Sequence, residues 1–134
     1  MGVKRKPLRN TRLDAFDMLS LRKILRIPYT RHITNDEVRS RSNCQPLSSI
    51  VISRRFRFFG HIARSSPDEN HHRAIAAAIR KPSPDWKRPA GRPSHTWLRS
   101  VEADLRPLNI GFFSAWRKAL GRADWRHVVD TATL

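Results

Sequence analysis

The chain has 134 residues, of which 27 are lysine or arginine and 11 are aspartate or glutamate, so its formal net charge at pH 7 is +16. This charge predicts a polyanionic partner, and nucleic acid is the first candidate because lysine and arginine release counterions when they contact phosphates. The single cysteine, Cys44, excludes an internal disulfide framework, and no apolar run is long enough for a signal peptide or a membrane span.

The first predicted element follows a basic segment at residues 1–10, which we expect to be disordered. A helix is predicted to run to about Ile27, because Asn10 or Thr11 is a suitable N-cap and apolar side chains then recur at helical spacing. Basic side chains occupy the opposite face, as in an amphipathic helix. Pro28 ends the helix because it cannot continue the hydrogen-bond ladder.

A short second helix is predicted at residues 35–41. Thr34 followed by Glu37 is a capping box, in which the threonine side chain accepts a hydrogen bond at the helix start. The acidic pair Asp36-Glu37 is therefore explained by helix capping and need not bind a metal.

The third predicted helix, residues 48–64, has apolar side chains over about half of its circumference, which indicates packing on two sides. Phe58 belongs to this apolar surface by its helical phase. The remaining side carries a basic stripe, Arg54, Arg57, His61 and Arg64. Arg55 falls inside the apolar surface, so it must extend its charge to solvent or find an acidic partner. Gly60 lies in mid-helix and predicts a close helix approach or a bend.

A Pro-rich basic linker is predicted at residues 81–93, after a helix at residues 71–80. The linker carries four prolines and four basic residues, a composition that excludes a helix or a central strand. Two interpretations of Trp86 stay open. Its indole stacks on an unpaired base, or it anchors the linker on the core.

The C-terminal segment, residues 94–134, is predicted to contain three further helices. Ser94 is the expected cap of the first, and the next two begin at Ser114 and at Asp124. No stretch of the chain alternates in the way a half-buried strand does. Together with a helical unit at residues 11–80, this segment predicts an all-α fold, a small multi-helix domain without a sheet.

The acidic residues do not form the carboxylate cluster that metal-dependent phosphodiester chemistry requires. Two acidic pairs occur, Asp36-Glu37 at a predicted helix start and Asp68-Glu69 in a polar turn. Cys44 and the histidines lack the paired spacing that seeds a zinc site. We therefore expect no catalytic residue, no metal and no cofactor, and we expect that the chain is not an enzyme.

At residues 54–64 the sequence RRFRFFGHIAR resembles the RRRLRWxGHVxR motif found downstream of the reverse transcriptase domain in jockey-like and related LINE-type (non-LTR) retrotransposons. Further blocks resemble the same family in the same order: RLDAFDMLSLRKILRI (12–27), ITNDEV (33–38), KRPAGRPSHTWLRSVEADL (87–105) and RADWRHVV (122–129). They cover nearly the whole chain after residue 10. Several ordered blocks are more specific than any single motif.

The resemblance implies the tail of a polyprotein in which an endonuclease and a reverse transcriptase would precede this chain. Such a tail would continue the polymerase thumb and help to hold template RNA or target DNA. A Met stands where the polymerase would adjoin the tail, so we expect a truncated copy. Some related elements end in a zinc knuckle, but its cysteines are missing here and that function is not implied.

We therefore predict a non-catalytic tail that contacts RNA or DNA through the phosphate backbone. We expect it in the nucleus or cytoplasm, with no membrane association and with the missing polymerase domain as a further partner. The residues expected to bind nucleic acid are Arg54, Arg55, Arg57, His61, Arg64, Trp86, Lys87, Arg88 and Arg92. The main alternative is a degenerate remnant or polymerase scaffold without independent activity. A basic surface kept for solubility and a helix-turn-helix regulator are further alternatives, and apolar residues at 50–52 disfavour the last.

Overall fold

The computed structural model describes residues 8–80, 84–85, 90–91 and 96–133, and within these ranges the chain forms seven α-helices and no strand. The prediction of an all-α fold is therefore confirmed. No helix of the described ranges is long and apolar enough to cross a membrane. The helices are α1 (Leu8–Ile24), α2 (Asn35–Ser42), α3 (Leu47–Arg64), α4 (Asn70–Ile79), α5 (Trp97–Leu105), α6 (Phe112–Ala119) and α7 (Arg122–Thr133), with a 3-10 turn at Arg106–Leu108.

Two segments predicted to lack regular structure are described only in part. Helix α1 begins at Leu8, so the end of the segment at residues 1–10 is helical and not disordered as we expected. Most of the linker at residues 81–93 lies outside the described ranges. Within it, Gly91 is exposed and has a φ of 85°, a conformation that favours glycine.

Helix α1 ends at Ile24, earlier than predicted. The backbone N–H of Ile27 donates to the carbonyl oxygen of Arg22 at 2.9 Å, and that of Arg26 donates to Lys23 at 3.1 Å. Arg26 itself has a φ of 53°. This is a Schellman arrangement, which closes the helix by its own hydrogen bonds before the proline is reached.

Threonine side chains cap two of the helices. The hydroxyl of Thr34 accepts from the backbone N–H of Glu37 at 3.3 Å, which confirms the predicted cap of α2. The hydroxyl of Thr96 accepts from the N–H of Arg99 at 3.2 Å. The prediction of Ser94 as the cap of this helix is wrong, because α5 begins later and places Thr96 at its N-terminus.

The last two helices begin earlier than predicted because each follows a glycine. The carbonyl oxygens of Gly111 and Gly121 accept the first hydrogen bonds of α6 and α7, each at 2.9 Å. The starts predicted at Ser114 and Asp124 are therefore wrong by about half a helical turn.

The chain divides into two compact units, Met1–Val51 and Ile52–Leu134. In the first unit α1 packs against α2. The carboxylate of Asp14 accepts from the backbone N–H and the hydroxyl of Ser48, at 3.1 and 2.8 Å. A carboxylate in this position stabilises the start of α3, because the first N–H groups of a helix lack partners within it.

The core of the second unit joins α3 to the three C-terminal helices. Its buried members are Phe56, Phe59, Ala63, Val101, Leu105, Ala115, Ala119, Trp125, Val128 and Val129. Full burial of one such phenylalanine stabilises the fold by about 1.5–3 kcal/mol relative to exposure. Most of the helix predicted at 48–64 thus shares one core with the segment 94–134, whereas the sequence grouped it with residues 11–80.

Candidate nucleic-acid interface

The basic stripe predicted on α3 is only partly exposed. Arg54, Arg57 and His61 are exposed, whereas Arg64 is half-buried. Burial of the neighbouring residues Phe56, Phe59, Ile62 and Ala63 fixes the orientation of the helix in the second unit. The stripe is therefore carried by a helix whose opposite face is held in the core.

Arg55 has a different position from the rest of the predicted set. Its Nη1 donates to Oδ2 of Asp104 on α5 at 2.7 Å, and the two side chains are only 13% and 4% exposed. The expectation that this arginine needs an acidic partner is confirmed. Because its guanidinium is held inside the bundle by that carboxylate, we assign Arg55 to the packing of α3 on α5 and not to the interface.

Helix α7 brings two further arginines to the stripe. Arg122 and Arg126 are four residues apart, so they lie on the same face of α7. They line one groove together with Arg57 and Arg64 of α3. The groove has a volume of about 420 Å³, and its remaining lining residues are Trp125, Val129 and Asp130. Four guanidinium groups thus surround one groove that contains a single carboxylate.

Trp125 holds α7 against α3 at this point. Its Nε1 donates to the carbonyl oxygen of Phe56 at 2.6 Å. Its ring also lies 5.7 Å from that of Phe56 and 5.5 Å from that of Phe59, measured between centroids. Gly60 faces the indole, where a Cβ atom would overlap it. The expectation that Gly60 marks a close helix approach is confirmed, and this approach places the α7 arginines beside those of α3.

Arg64 is fixed within the groove. Its Nη1 donates to the carbonyl oxygen of Ala119 at 2.7 Å. Desolvation lowers the pKa of the Arg64 guanidinium, and the positive charge of Arg122 lowers it further. Arginine stays charged at neutral pH even so. The groove therefore holds like charges at close range, and an anion bound there would relieve their repulsion.

A row of exposed rings meets the α3 stripe at His61, which belongs to both. The rings of Phe58 and His61 are 6.5 Å apart and inclined by 20°, and those of His61 and His71 are 6.4 Å apart and inclined by 9°. The edge contact of Trp97 with Phe58 is 5.5 Å between centroids. Phe58 is 53% exposed. Its assignment to the packed apolar surface is therefore wrong, because the edge contact of Trp97 leaves about half of the Phe58 side chain uncovered by the described residues.

The two adjacent histidines of α4, His71 and His72, lie in different surroundings. His71 is exposed, and its Nε2 lies 2.9 Å from a carboxylate oxygen of Glu69. His72 is half-buried, with Nδ1 3.0 Å from the carbonyl oxygen of Ile62 and its ring against Trp116. No group of three or more histidine, cysteine or acidic side chains in the described ranges is arranged to hold a metal ion.

The remaining predicted binding residues, Trp86, Lys87, Arg88 and Arg92, lie outside the described ranges. Arg122 and Arg126 were not among the predicted residues, although both stand in the block RADWRHVV. The two arginines are four residues apart, so a helical-wheel plot of residues 122–129 would have placed them on one face of the helix. Comparison of the chain with family models, with curated proteins and with solved structures gives no match.

Proposed function

We propose that this chain binds nucleic acid through the phosphate backbone and that the groove between α3 and α7 is the central contact. One observation carries the proposal, the convergence of Arg57, Arg64, Arg122 and Arg126 on a groove with one acidic residue. Guanidinium groups suit this role because their paired donors match the oxygens of a phosphate. The sequence carries further positive charge at Arg54 and at the lysine and arginine residues of the linker.

The partial burial of Arg64 increases the value of a phosphate contact with that side chain. Charged hydrogen bonds are stronger where water is partly excluded, and Arg64 is already held in place by Ala119. A preorganised cation loses less side-chain entropy on binding than a free surface arginine. The geometry therefore favours an anion that fits between two helices over a diffuse cloud of counterions.

We further propose that the chain derives from the region after the polymerase in a non-LTR retrotransposon reverse transcriptase. The support is the ordered set of sequence blocks, and two of them, RRFRFFGHIAR and RADWRHVV, supply all four groove arginines. In this proposal the chain is a non-catalytic tail that holds template RNA or target DNA, in the nucleus or cytoplasm. The parent polymerase domain would be its protein partner.

A salt series of filter-binding measurements tests the binding proposal. The variant Arg57→Ala/Arg122→Ala/Arg126→Ala spares Arg64, whose hydrogen bond to Ala119 contributes to folding. We expect its affinity for duplex DNA to fall at least tenfold. The log–log salt slope should become shallower by about 0.9 for each phosphate that the variant no longer neutralises.

The matched control removes the same charge from another surface of the second unit. Arg106, Arg117 and Lys118 are all exposed and do not line the groove. Their triple alanine variant should lose much less affinity than the groove variant. Equal losses in the two variants would show that net charge alone drives binding. Absent binding of the unmodified chain to both RNA and DNA at low salt would reject the proposed function.

A second candidate is a polymerase scaffold segment without independent activity. Exposed apolar side chains on the first unit favour it: Phe16 is 66% exposed, Leu19 55%, Ile24 73% and Tyr29 95%. Such residues are typical of a surface that another domain covers. A urea titration that monitors the unfolding of the first unit distinguishes the scaffold segment from an independent binding protein. A scaffold segment should unfold with low cooperativity when its covering domain is absent. A sharp transition would count against it.

A further inference from the structure

We infer that the strand held at this interface is single-stranded and that its bases stack on the ring row formed by Phe58, His61 and His71. The inference rests on the proposed function, since it specifies which form of nucleic acid the arginine groove serves. Its basis is the combination of exposed, nearly parallel rings with phosphate-binding groups on the same helix.

The ring row has the geometry of a stacking surface. Consecutive ring centroids lie 6.5 and 6.4 Å apart, with interplanar angles of 20° and 9°. The three rings therefore share nearly one orientation although they come from α3 and α4. Trp97 contacts Phe58 edge-on at an interplanar angle of 75°, which supports the ring from its side. His71 is oriented by the carboxylate of Glu69, 2.9 Å from its Nε2.

The exposure of Phe58 is unusual for this helix. Phe56 and Phe59, its neighbours in the sequence, are fully buried, whereas Phe58 is 53% exposed. An isolated exposed apolar side chain needs no explanation. Phe58 differs because it adjoins the exposed ring of His61, which in turn adjoins that of His71, and because the exposed Arg54 and Arg57 lie close to it on the helix. Aromatic rings interleaved with cations are the arrangement that binds unpaired bases and their backbone together.

The positions on α3 separate the two kinds of contact. At about 100° per residue, Phe58 points roughly 100–120° away from Arg57 and Arg64 around the helix, and His61 lies between, roughly 40–60° from the two arginines. A strand that follows the groove with its phosphates can therefore direct its bases to the ring row. In a duplex the bases are paired and stacked inside, so only the backbone could use this surface.

The first experiment uses the unmodified chain. A short oligothymidylate and an abasic strand of the same length carry the same phosphate charge, but only the first has bases to stack. Stacking predicts that the oligothymidylate binds at least tenfold more tightly at constant salt, because each stacked base contributes about 1–3 kcal/mol, or 5- to 150-fold. Equal affinities for the two strands would overturn the inference.

The second experiment removes a ring. In Phe58→Leu the side chain is apolar and of similar size, but the ring is gone, and every residue of the basic stripe is kept. We expect affinity to fall tenfold or more on the oligothymidylate and less than threefold on a duplex, with an unchanged salt slope because the arginines still neutralise the same phosphates. The control Phe113→Leu changes another exposed ring of the second unit, 68% exposed, and should not alter binding.

The outcomes separate the inference from the proposed function. If the chain binds duplex and single strands in a salt-dependent manner but the ring variant weakens both equally, the stacking inference fails and backbone binding stands. If the unmodified chain binds neither, both fail. Circular dichroism verifies that the ring variant is folded, and the abasic comparison tests stacking without any variant.

Discussion

Trp125 of α7 lies against Gly60 of α3 so closely that a side chain at the glycine would overlap the indole. Alanine in place of a mid-helix glycine normally stabilises a helix by up to about 1 kcal/mol. Here we expect Gly60→Ala to destabilise the second unit by about 1–3 kcal/mol, because the indole must move and its hydrogen bond to Phe56 is strained. Urea unfolding of the two proteins measures the difference.

A glycine without such a neighbour provides the control. A Cβ atom at Gly111 would meet no atom within 4 Å. Gly111→Ala should therefore change the stability by less than about 1 kcal/mol, the cost of an alanine at a helix N-cap. A stabilising effect of Gly60→Ala would contradict the close approach of α7 that builds the arginine groove.

The ion pair of Arg55 and Asp104 allows a second prediction about stability. Both side chains are largely buried, and removal of one member of a buried ion pair costs about 3–5 kcal/mol. Arg55→Met should be strongly destabilising, and Arg55→Met/Asp104→Leu should recover part of the loss. A denaturant double-mutant cycle measures the coupling.

The surface ion pair on α2 is the comparison for that cycle. Arg41 and Glu37 are 46% and 48% exposed, and exposed pairs contribute about 0–1 kcal/mol. Arg41→Ala should therefore have a small effect. If Arg55→Met had an equally small effect on stability, Asp104 would not confine the Arg55 guanidinium. Arg55 would then again be a candidate nucleic-acid-binding residue.

The end of α1 contains an arginine in a backbone conformation that favours glycine. Arg26 has a φ of 53°, and an L side chain in that region costs about 1–2 kcal/mol. We expect Arg26→Gly to raise the stability of the first unit by about 1 kcal/mol. Arg12→Gly, inside the same helix, should lower it by a similar amount. Thermal unfolding monitored by helical circular dichroism tests both, and the same sign for the two changes would contradict the Schellman arrangement.

Features that depend on neighbouring residues in the chain could be predicted from the sequence. Helical phase predicts the helices, and the residue types at the start of α2 predict the cap at Thr34. The cost of burying a charge predicts that Arg55 needs an acidic partner. A glycine in mid-helix predicts the close approach at Gly60. The sequence could not name Asp104 or Trp125 as the partners, because these contacts join helices far apart in the chain and depend on how the core packs.

The candidate site was predicted only in part, for the same physical reason. Helical phase placed Arg57 and Arg64 on one stripe, but the groove needs the register of α7 against α3, which the contacts of Trp125 set. Phase also placed Phe58 on the apolar side, but phase does not show whether another helix covers a side chain. The ring row is visible only once α4 brings His71 next to His61.

The repulsion inside the groove leads to a last prediction, which links stability to binding. Arg122 lowers the pKa of Arg64, after the larger effect of desolvation, so the charged forms of the two side chains disfavour each other in the folded chain. Arg122→Gln should raise the urea midpoint at low ionic strength. The gain should fade at high salt, where the Debye length shrinks to about 3 Å at 1 M.

The same substitution should weaken the binding of nucleic acid, because it removes one of the phosphate contacts. A residue that costs stability and supports binding is characteristic of a functional site. Arg117→Gln removes an equal charge from an exposed position outside the groove, so it should leave both properties nearly unchanged. If Arg122→Gln lowered the stability at low salt, the groove would be a packing contact between α3 and α7 and not a site kept open for an anion.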